Sequence, residues 1–181
     1  PTDCVNIGIS VILKGLPDLV VSGINKGLNV GDDVTYSGTV SGALEAALLG
    51  VPGIAVSLQQ GGAEWDFTHA AAAARDIAAV VIEQGLPLRT FLNVNVPRGV
   101  PKGVRLAVQG KRNHATTVTE RRDPRGRPYF WIGEGQDDWI PNGDSDYEAI
   151  RAGFVSVTPL QSDLTARDAL DYVKRLSLER G

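Results

Sequence analysis

The residues best suited to chemistry lie in 23–40, a segment rich in glycine, asparagine and aspartate that follows a short apolar run at 18–23. Asn25 stands two residues beyond that run, and its side-chain carbonyl could bind a hard cation such as Mg²⁺ or Mn²⁺. One neutral oxygen cannot hold such an ion alone, so carboxylates must join it. Asp32 and Asp33 are the local candidates, but adjacent side chains diverge in an extended segment. Turn formation and capping is therefore the favoured interpretation of this pair.

Ser37, Gly38 and Thr39 come directly before a predicted helix that starts near Val40. Backbone N–H groups, two hydroxyls and the positive end of the helix dipole would converge there, an arrangement that suits a phosphate. The alternative, which the residues alone favour, is an ordinary N-cap at Ser37 or Thr39 with Gly38 as the turn residue. No Gly-Lys-Ser/Thr follows the glycines, and they form no G-x-G-x-x-G turn. The spacing is therefore only suggestive of a phosphate site.

The two histidines and the one cysteine are weaker candidates. His69 falls on an alanine-rich predicted helix and His114 near a predicted hairpin, without a second histidine at metal-binding spacing, so surface or packing roles are favoured. Cys4 is expected in the core, on the apolar face of the first helix. A single cysteine excludes an intrachain disulfide framework and any multi-cysteine zinc site, and it fits a reducing compartment.

A basic and aromatic cluster marks the predicted hairpin at 116–133. We interpret it as a solvated tip with an aromatic oligomer contact, and the alternative is an arm that binds polyanions. The cluster consists of Arg121, Arg122, Arg125, Arg127, Tyr129, Phe130 and Trp131.

Composition limits the class of protein. The chain has 181 residues, 43% hydrophobic and 22% charged, which predicts one domain with a sizeable core. Its formal charge is −3, from 18 Lys plus Arg against 21 Asp plus Glu, so nucleic-acid binding is not expected as the main role. The longest apolar stretch, around 70–82, is broken by Arg75 and Asp76 and is too short to span a bilayer. With no secretory signal at its start, the chain is predicted to be cytoplasmic.

The elements that must position these residues alternate between strand and helix. Thr2 is expected to cap the first helix. Strand, helix, strand, helix, strand with short connections predicts a right-handed parallel α/β sheet, in which ligands bind at the carboxyl ends of the strands. The predicted helices are 2–13, 40–49 and 66–85, and the predicted strands are 18–23, 53–58 and 90–97.

Beyond residue 97 the pattern changes. A further strand lies within 104–110, and the alternation around "DPRG" predicts the hairpin at 116–133. Residues 136–153 are interpreted as an irregular linker. A strand at 154–160 and a last amphipathic helix, capped by Asp163 or Thr165, complete the prediction.

Several long motifs resemble the SurE family of survival-protein nucleotidases. They are "PTDCV", "PDLVVSGINKGLNVGDDVTYSGTVSGALEAALLGVPGIAVSL", "LNVNVP", "DPRGRPYFWIG" and "GFVSVTPLQSDLT", and together they extend over nearly the whole chain. The resemblance implies a Rossmann-like parallel sheet with flanking helices, a β-hairpin extension and C-terminal oligomerisation elements. Residues 1–97 would form the later part of the α/β nucleotidase core. Residues 98–181 would continue the same domain, with the hairpin and the C-terminal strand and helix used in oligomerisation.

The resemblance also implies an activity. Members of this family are metal-dependent phosphatases that hydrolyse nucleoside 5′- and 3′-monophosphates, some also short polyphosphate, and they form homodimers or homotetramers. By this resemblance Asn25 is a ligand of Mg²⁺ or Mn²⁺, while Ser37, Gly38 and Thr39 face the substrate phosphate. Asp32 and Asp33 become loop architecture, because the family's metal-binding carboxylates are a different adjacent pair.

That pair occurs in a segment like "VTNDDG", followed by a loop that supplies a serine, and no "NDDG" occurs in residues 1–181. The pattern would place the aspartates, with the first strand and helix, upstream of Pro1. No catalytic residue is therefore assigned within this chain, and residues 1–181 alone are expected to hold an incomplete active site with poor activity. The alternative function is a non-catalytic oligomeric interaction module that retains the scaffold.

Overall fold

The computed structural model describes residues 1–62, 64–113, 117–133, 138–139 and 143–176. His114 and parts of the predicted linker and hairpin lie outside these ranges. The helices are α1 (Thr2–Ile7), which a π-helical turn continues at Gly8–Ile12, α2 (Gly38–Leu48), α3 (Thr68–Gln84), α4 (Asp146–Arg151) and α5 (Leu170–Lys174). The strands are β1 (Val20–Lys26), β2 (Gly53–Leu58), β3 (Thr90–Val96), β4 (Val104–Leu106), β5 (Arg112–Asn113), β6 (Thr117–Arg122), β7 (Pro128–Gly133), β8 (Asp138–Trp139) and β9 (Val155–Gln161).

A five-stranded sheet in the order β1-β2-β3-β9-β4 organises the molecule. Strands β1, β2 and β3 run parallel to one another, β9 is antiparallel to β3, and β4 is parallel to β9. Since β4 and β9 begin at the edge where β1 to β3 end, this edge collects connections from both parts of the chain. The predicted α/β class, with a mostly parallel sheet and flanking helices, is confirmed.

Strand β2 forms the centre of the core, because all six of its residues are buried. One face of the sheet packs Ile54 and Val94 against α3, and the other packs Ala55 under α2. Gly53 has a steric role at the start of β2, since a Cβ there would overlap the carbonyl oxygen of Ala43 in α2. Helix α2 can therefore approach the sheet closely, and this approach places the amino end of α2 beside the carboxyl edge of the sheet.

Two expectations about the first helix are wrong. The N-cap position is Pro1, and Thr2 makes no capping hydrogen bond. Cys4 is exposed instead of buried, because α1 has no fully buried residue and packs against the core through the partly buried Val5 and through Ile9 in the turn that follows. The apolar periodicity of this segment predicted the helix but overestimated how much of it the sheet covers.

The predicted irregular linker is also partly wrong, since it contains α4. The hydroxyl of Ser145 caps this helix by accepting a hydrogen bond from the Glu148 N–H at 3.2 Å. The last helix is shorter than predicted within the described residues, a 3₁₀ turn at Arg167–Ala169 followed by α5. At its entrance the Asp163 carboxylate accepts a hydrogen bond from the Thr165 N–H at 2.9 Å.

The hairpin prediction is confirmed by the antiparallel pairing of β6 with β7, which forms a separate two-stranded ribbon. Its turn is fixed by Asp123, whose carboxylate accepts hydrogen bonds from the N–H groups of Arg125 and Arg127 at 2.8 and 2.9 Å. None of the helices in the described part of the chain is long and apolar enough to cross a membrane.

Candidate phosphate and metal site

Asn25 lies near the carboxyl end of β1, in the register position opposite Ser57 of β2, which in turn faces Asn95 of β3. Polar side chains thus align across three parallel strands near their carboxyl ends, the edge where ligands bind in sheets of this kind. The Nδ2 of Asn25 donates a hydrogen bond to the carbonyl oxygen of Gly27 at 3.0 Å. That bond fixes the amide and leaves its Oδ1 as the atom that can act as a ligand.

The loop between Asn25 and α2 is attached to the sheet through Asn29. The Asn29 N–H donates to Oδ1 of Asn95 at 2.9 Å, and the Asn29 carbonyl accepts from Nδ2 of the same residue at 3.0 Å. A second donor to this carbonyl is Nδ2 of Asn93 at 2.8 Å, while the Asn29 side chain donates to Ser57 Oγ at 2.7 Å. All four side chains are buried, so these bonds act away from water and hold the loop in one position.

Asp146, at the start of α4, secures the next part of the loop. Its carboxylate is fully buried and accepts hydrogen bonds from the N–H groups of Gly31 at 2.8 Å, Gly110 at 3.0 Å and Tyr147 at 2.8 Å. Burial raises the pKa of Asp146 above its ordinary value, and the neighbouring Asp33 raises it further, although the three N–H donors oppose the shift. Through its hydrogen bond with Gly31, the Asp146 carboxylate joins α4 to the loop of the candidate site.

Ser37 is the N-cap of α2. Its Oγ accepts a hydrogen bond from the Val40 N–H at 3.2 Å, which confirms the capping interpretation. A hydroxyl that accepts one hydrogen bond can still donate its proton to a phosphate oxygen, so the phosphate role stays a prediction. Gly38 has a packing reason to be glycine, because a Cβ there would lie 2.8 Å from Cγ of Pro1. Thr39 is half-buried in the first turn.

The described residues include one candidate metal ligand, Asn25. No group of three or more His, Cys, Asp or Glu side chains among them could hold an ion. Asp32 and Asp33 lie in a 3₁₀ turn at Gly31–Thr35 that shapes the loop, as predicted for this pair. Asn25 fits as one oxygen ligand, since its amide nitrogen is already engaged.

His69, in the first turn of α3, lines a cavity beside the sheet edge together with Trp65 and Arg98. The sequence pattern predicted a surface or packing role for His69 and did not indicate a cavity here. It also missed the Asn29 network and Asp146, because those contacts depend on strand register and on residues far apart in the chain.

The fold and this polar edge define an α/β protein with oxygen-bearing side chains at the carboxyl ends of parallel strands, where ligands bind in proteins of this class. The model of the Survival protein SurE family matches residues 1–116, and the chain belongs to this family.

Relatives similar to this chain are named 5′-nucleotidase SurE. The protein of Syntrophotalea carbinolica is 51% identical over 179 residues, which cover 98% of this chain and 72% of the relative. The protein of Geotalea daltonii is 50% identical over 97% of this chain and 72% of its own length. The crystal structure of the SurE protein from Aquifex aeolicus superimposes with a TM-score of 0.82 at 43% identity, covering 98% of this chain and 73% of that one.

Proposed function

We propose that this protein is a metal-dependent 5′-nucleotidase, a phosphomonoester hydrolase that acts on nucleoside 5′- and 3′-monophosphates and on short polyphosphate. The observation that carries the proposal is the fixed loop between Asn25 and Ser37. Its middle is held by the four hydrogen bonds of Asn29. A candidate metal ligand and a candidate phosphate cradle are thereby kept at one sheet edge. The names of the relatives support the same activity.

The phosphate would be held at the amino end of α2. The first N–H groups of a helix have no intrahelical partners, and those of Gly38 and Thr39 are available together with the Ser37 hydroxyl. These groups attract an anion and would stabilise the negative charge that grows on the phosphoryl oxygens during hydrolysis. Because Ser37 is buried and fixed as the N-cap, its hydroxyl needs little reorganisation when the substrate binds.

The proposed cofactor is Mg²⁺ or Mn²⁺, with Oδ1 of Asn25 as one ligand. When bound, such a cation polarises the phosphoryl group and orients the attacking oxygen. The adjacent aspartates of the family pattern have no counterpart in residues 1–181. We therefore propose that a polypeptide of residues 1–181 binds the metal weakly and hydrolyses phosphate esters poorly on its own.

The test is hydrolysis of p-nitrophenyl phosphate and of nucleoside monophosphates with Mn²⁺, with and without a chelator. The natural gene product, translated from its own start codon, should hydrolyse both, lose activity to the chelator, and lose most of it in Asn25→Ala and Ser37→Ala. The exposed Asn6→Ala serves as the matched control for Asn25→Ala. Absence of hydrolysis by the gene product would favour the non-catalytic module. Vigorous hydrolysis by residues 1–181 alone would contradict the proposal that their site is incomplete.

We further propose a cytoplasmic homodimer or homotetramer. The support for assembly is the apolar surface of the hairpin, where Phe130, Trp131 and Ile132 are 64, 62 and 72% exposed. Light scattering should find a dimer or tetramer, and Trp131→Ser with Ile132→Ser should shift it toward smaller species. A monodisperse wild-type monomer would contradict the proposal.

A further inference from the structure

A cavity of about 510 Å³ opens beside the candidate site, at the carboxyl ends of β2 and β3. Its volume falls in the ordinary range of ligand pockets, about 300 to 1,000 Å³. It begins at Leu58, the residue that pairs with Lys26, so it lies one residue beyond Asn25 along the same edge. The other lining residues include Gln59, Gly61, Gly62, Glu64, Trp65, Asp66, His69 and Arg98.

Trp65 provides the aromatic wall of this cavity. Its ring stacks against Phe67, with 6.2 Å between the ring centroids and 13° between the planes. The Nζ of Lys26 lies 5.8 Å from the indole centroid. The indole is therefore oriented before any ligand arrives, and its exposed part belongs to the cavity. A rigid aromatic surface of this kind suits a flat heterocycle, because every nucleobase has a π face.

Arg98 faces the cavity across a glycine pair. The backbone N–H of Arg98 donates a hydrogen bond to Oε1 of Gln59 at 3.1 Å. A Cβ at Gly61 would overlap the Cδ of Arg98, so the missing side chain there makes room for the arginine. A planar guanidinium at this position can stack on a ring or donate hydrogen bonds to ring and sugar oxygens.

The charges in the cavity favour a neutral ligand over a second phosphate. Glu64 and Asp66 line it together with Arg98. The amino end of α3 also opens here, but Asp66 occupies it by accepting a hydrogen bond from the Thr68 N–H at 2.9 Å. Hydrogen bonds from the side chain and then the backbone N–H of Thr68 lower the pKa of the Asp66 carboxyl. Carboxylates can accept hydrogen bonds from sugar hydroxyls, whereas they repel an anion.

We propose that this cavity binds the nucleoside part of the substrate, with the base against Trp65 and Arg98 and the ribose near the acidic side chains. This inference rests on the proposed nucleotidase function. Helix α2 packs on one face of the sheet and α3 on the other. A bound nucleotide would thus extend across the sheet edge, from the phosphate cradle at Ser37 past Asn25 into the cavity.

The experiment measures equilibrium binding of adenosine, guanosine, cytidine and uridine to the protein without added metal, by calorimetry. These probes carry no phosphate, so their binding does not depend on hydrolysis or on the metal site. At least one nucleoside should bind, and Trp65→Leu should weaken it roughly 5- to 150-fold, the range expected when one base loses an aromatic partner. Leu88→Ala, at an exposed apolar residue away from the cavity, is the control and should leave the affinity unchanged.

Gly61→Ala is a second variant that keeps Trp65 and displaces Arg98, so it should also weaken nucleoside binding while the protein remains folded by circular dichroism. Absence of binding by every nucleoside, or equal losses in Trp65→Leu and Leu88→Ala, would overturn the proposal. The proposal would also be wrong if tripolyphosphate competed with the nucleoside for the protein and Trp65→Leu removed this competition. The cavity would then be an anion site. Hydrolysis of ribose 5-phosphate tests the phosphatase function separately, because that substrate has no base.

Discussion

Replacing Asn95 with aspartate would test the network that holds the candidate site. Asn95 is fully buried, and its amide serves both polar groups of one peptide unit, accepting from the Asn29 N–H at 2.9 Å and donating to the Asn29 carbonyl at 3.0 Å. Aspartate has almost the same shape. When protonated it can make both bonds, and when ionised it loses the donor and places a charged oxygen against the Asn29 carbonyl oxygen.

The size of the effect depends on pH. Burial and the facing carbonyl would raise the pKa of an aspartate at position 95 in the folded state above its unfolded value of about 3.9. A raised folded pKa contributes stability that is fully present below the unfolded pKa and is lost as the pH rises toward the folded pKa. Above the unfolded pKa, the free energy of unfolding falls by up to about 1.4 kcal/mol per pH unit, so the loss at pH 7 is at most about 4 kcal/mol. The loss cannot be larger, because the buried aspartate stays protonated wherever its ionisation would cost more than that.

Urea unfolding of wild type and Asn95→Asp between pH 4 and pH 8, followed by circular dichroism, measures this difference. Near pH 4 the two free energies of unfolding should agree within about 1 kcal/mol. As the pH rises toward neutral, the free energy of unfolding of Asn95→Asp should fall steadily below that of wild type. Gln84→Glu adds the same charge at an exposed position and should show no comparable pH dependence. A constant difference across the pH range, or none at pH 8, would refute the proposed hydrogen bonding of Asn95.

Four shorter predictions follow from other contacts. Ser37→Ala removes the α2 cap and should lower the free energy of unfolding by about 0.5 to 2 kcal/mol, whereas Ser37→Thr should retain most of it in urea unfolding. Asn25→Ala should weaken Mn²⁺ binding, which the spin-resonance signal of free Mn²⁺ measures, and unchanged affinity would contradict its role as a ligand. Because the folded pKa of Asp146 is raised, the stability of wild type relative to Asp146→Asn should fall as the pH rises above about 4 in urea titrations. Gly53→Ala should lower the melting temperature, since its Cβ would overlap the Ala43 carbonyl oxygen and overpacking costs about 1 to 3 kcal/mol.

The central strands could be predicted from sequence because their signals are local. The predicted strand at 53–58 has the observed bounds of Gly53–Leu58, and the hairpin turn follows from "DPRG". The polar network could not be predicted in the same way, since Asn29 meets Asn95 only through the register of β2 and β3. One signal was present, namely the alternating asparagines of "LNVNV" within a strand that is otherwise apolar. An asparagine at every second position of a buried strand indicates polar partners on one face of the sheet.

Helix α4 was missed for a different reason. The glycine, proline and aspartates around it are typical of an irregular segment, but Ser145 and Glu148 form the S-x-x-E pattern of a helix start. In the structure the Ser145 hydroxyl also donates to Oε2 of Glu148 at 3.2 Å. The consequence reaches the candidate site, because the same helix start carries Asp146, and Asp146 holds Gly31 across 115 residues of sequence.

This long contact bears on how the candidate site becomes ordered. Asn25 and Ser37 belong to the first part of the chain, yet the loop between them is held at Gly31 by a carboxylate from the second part. In a polypeptide of residues 1–97 the Gly31 N–H would lose its charged acceptor, and β3 would lose its antiparallel neighbour β9. The geometry proposed for binding metal and phosphate therefore depends on the return of the chain through α4 and β9, although neither element contributes a proposed ligand.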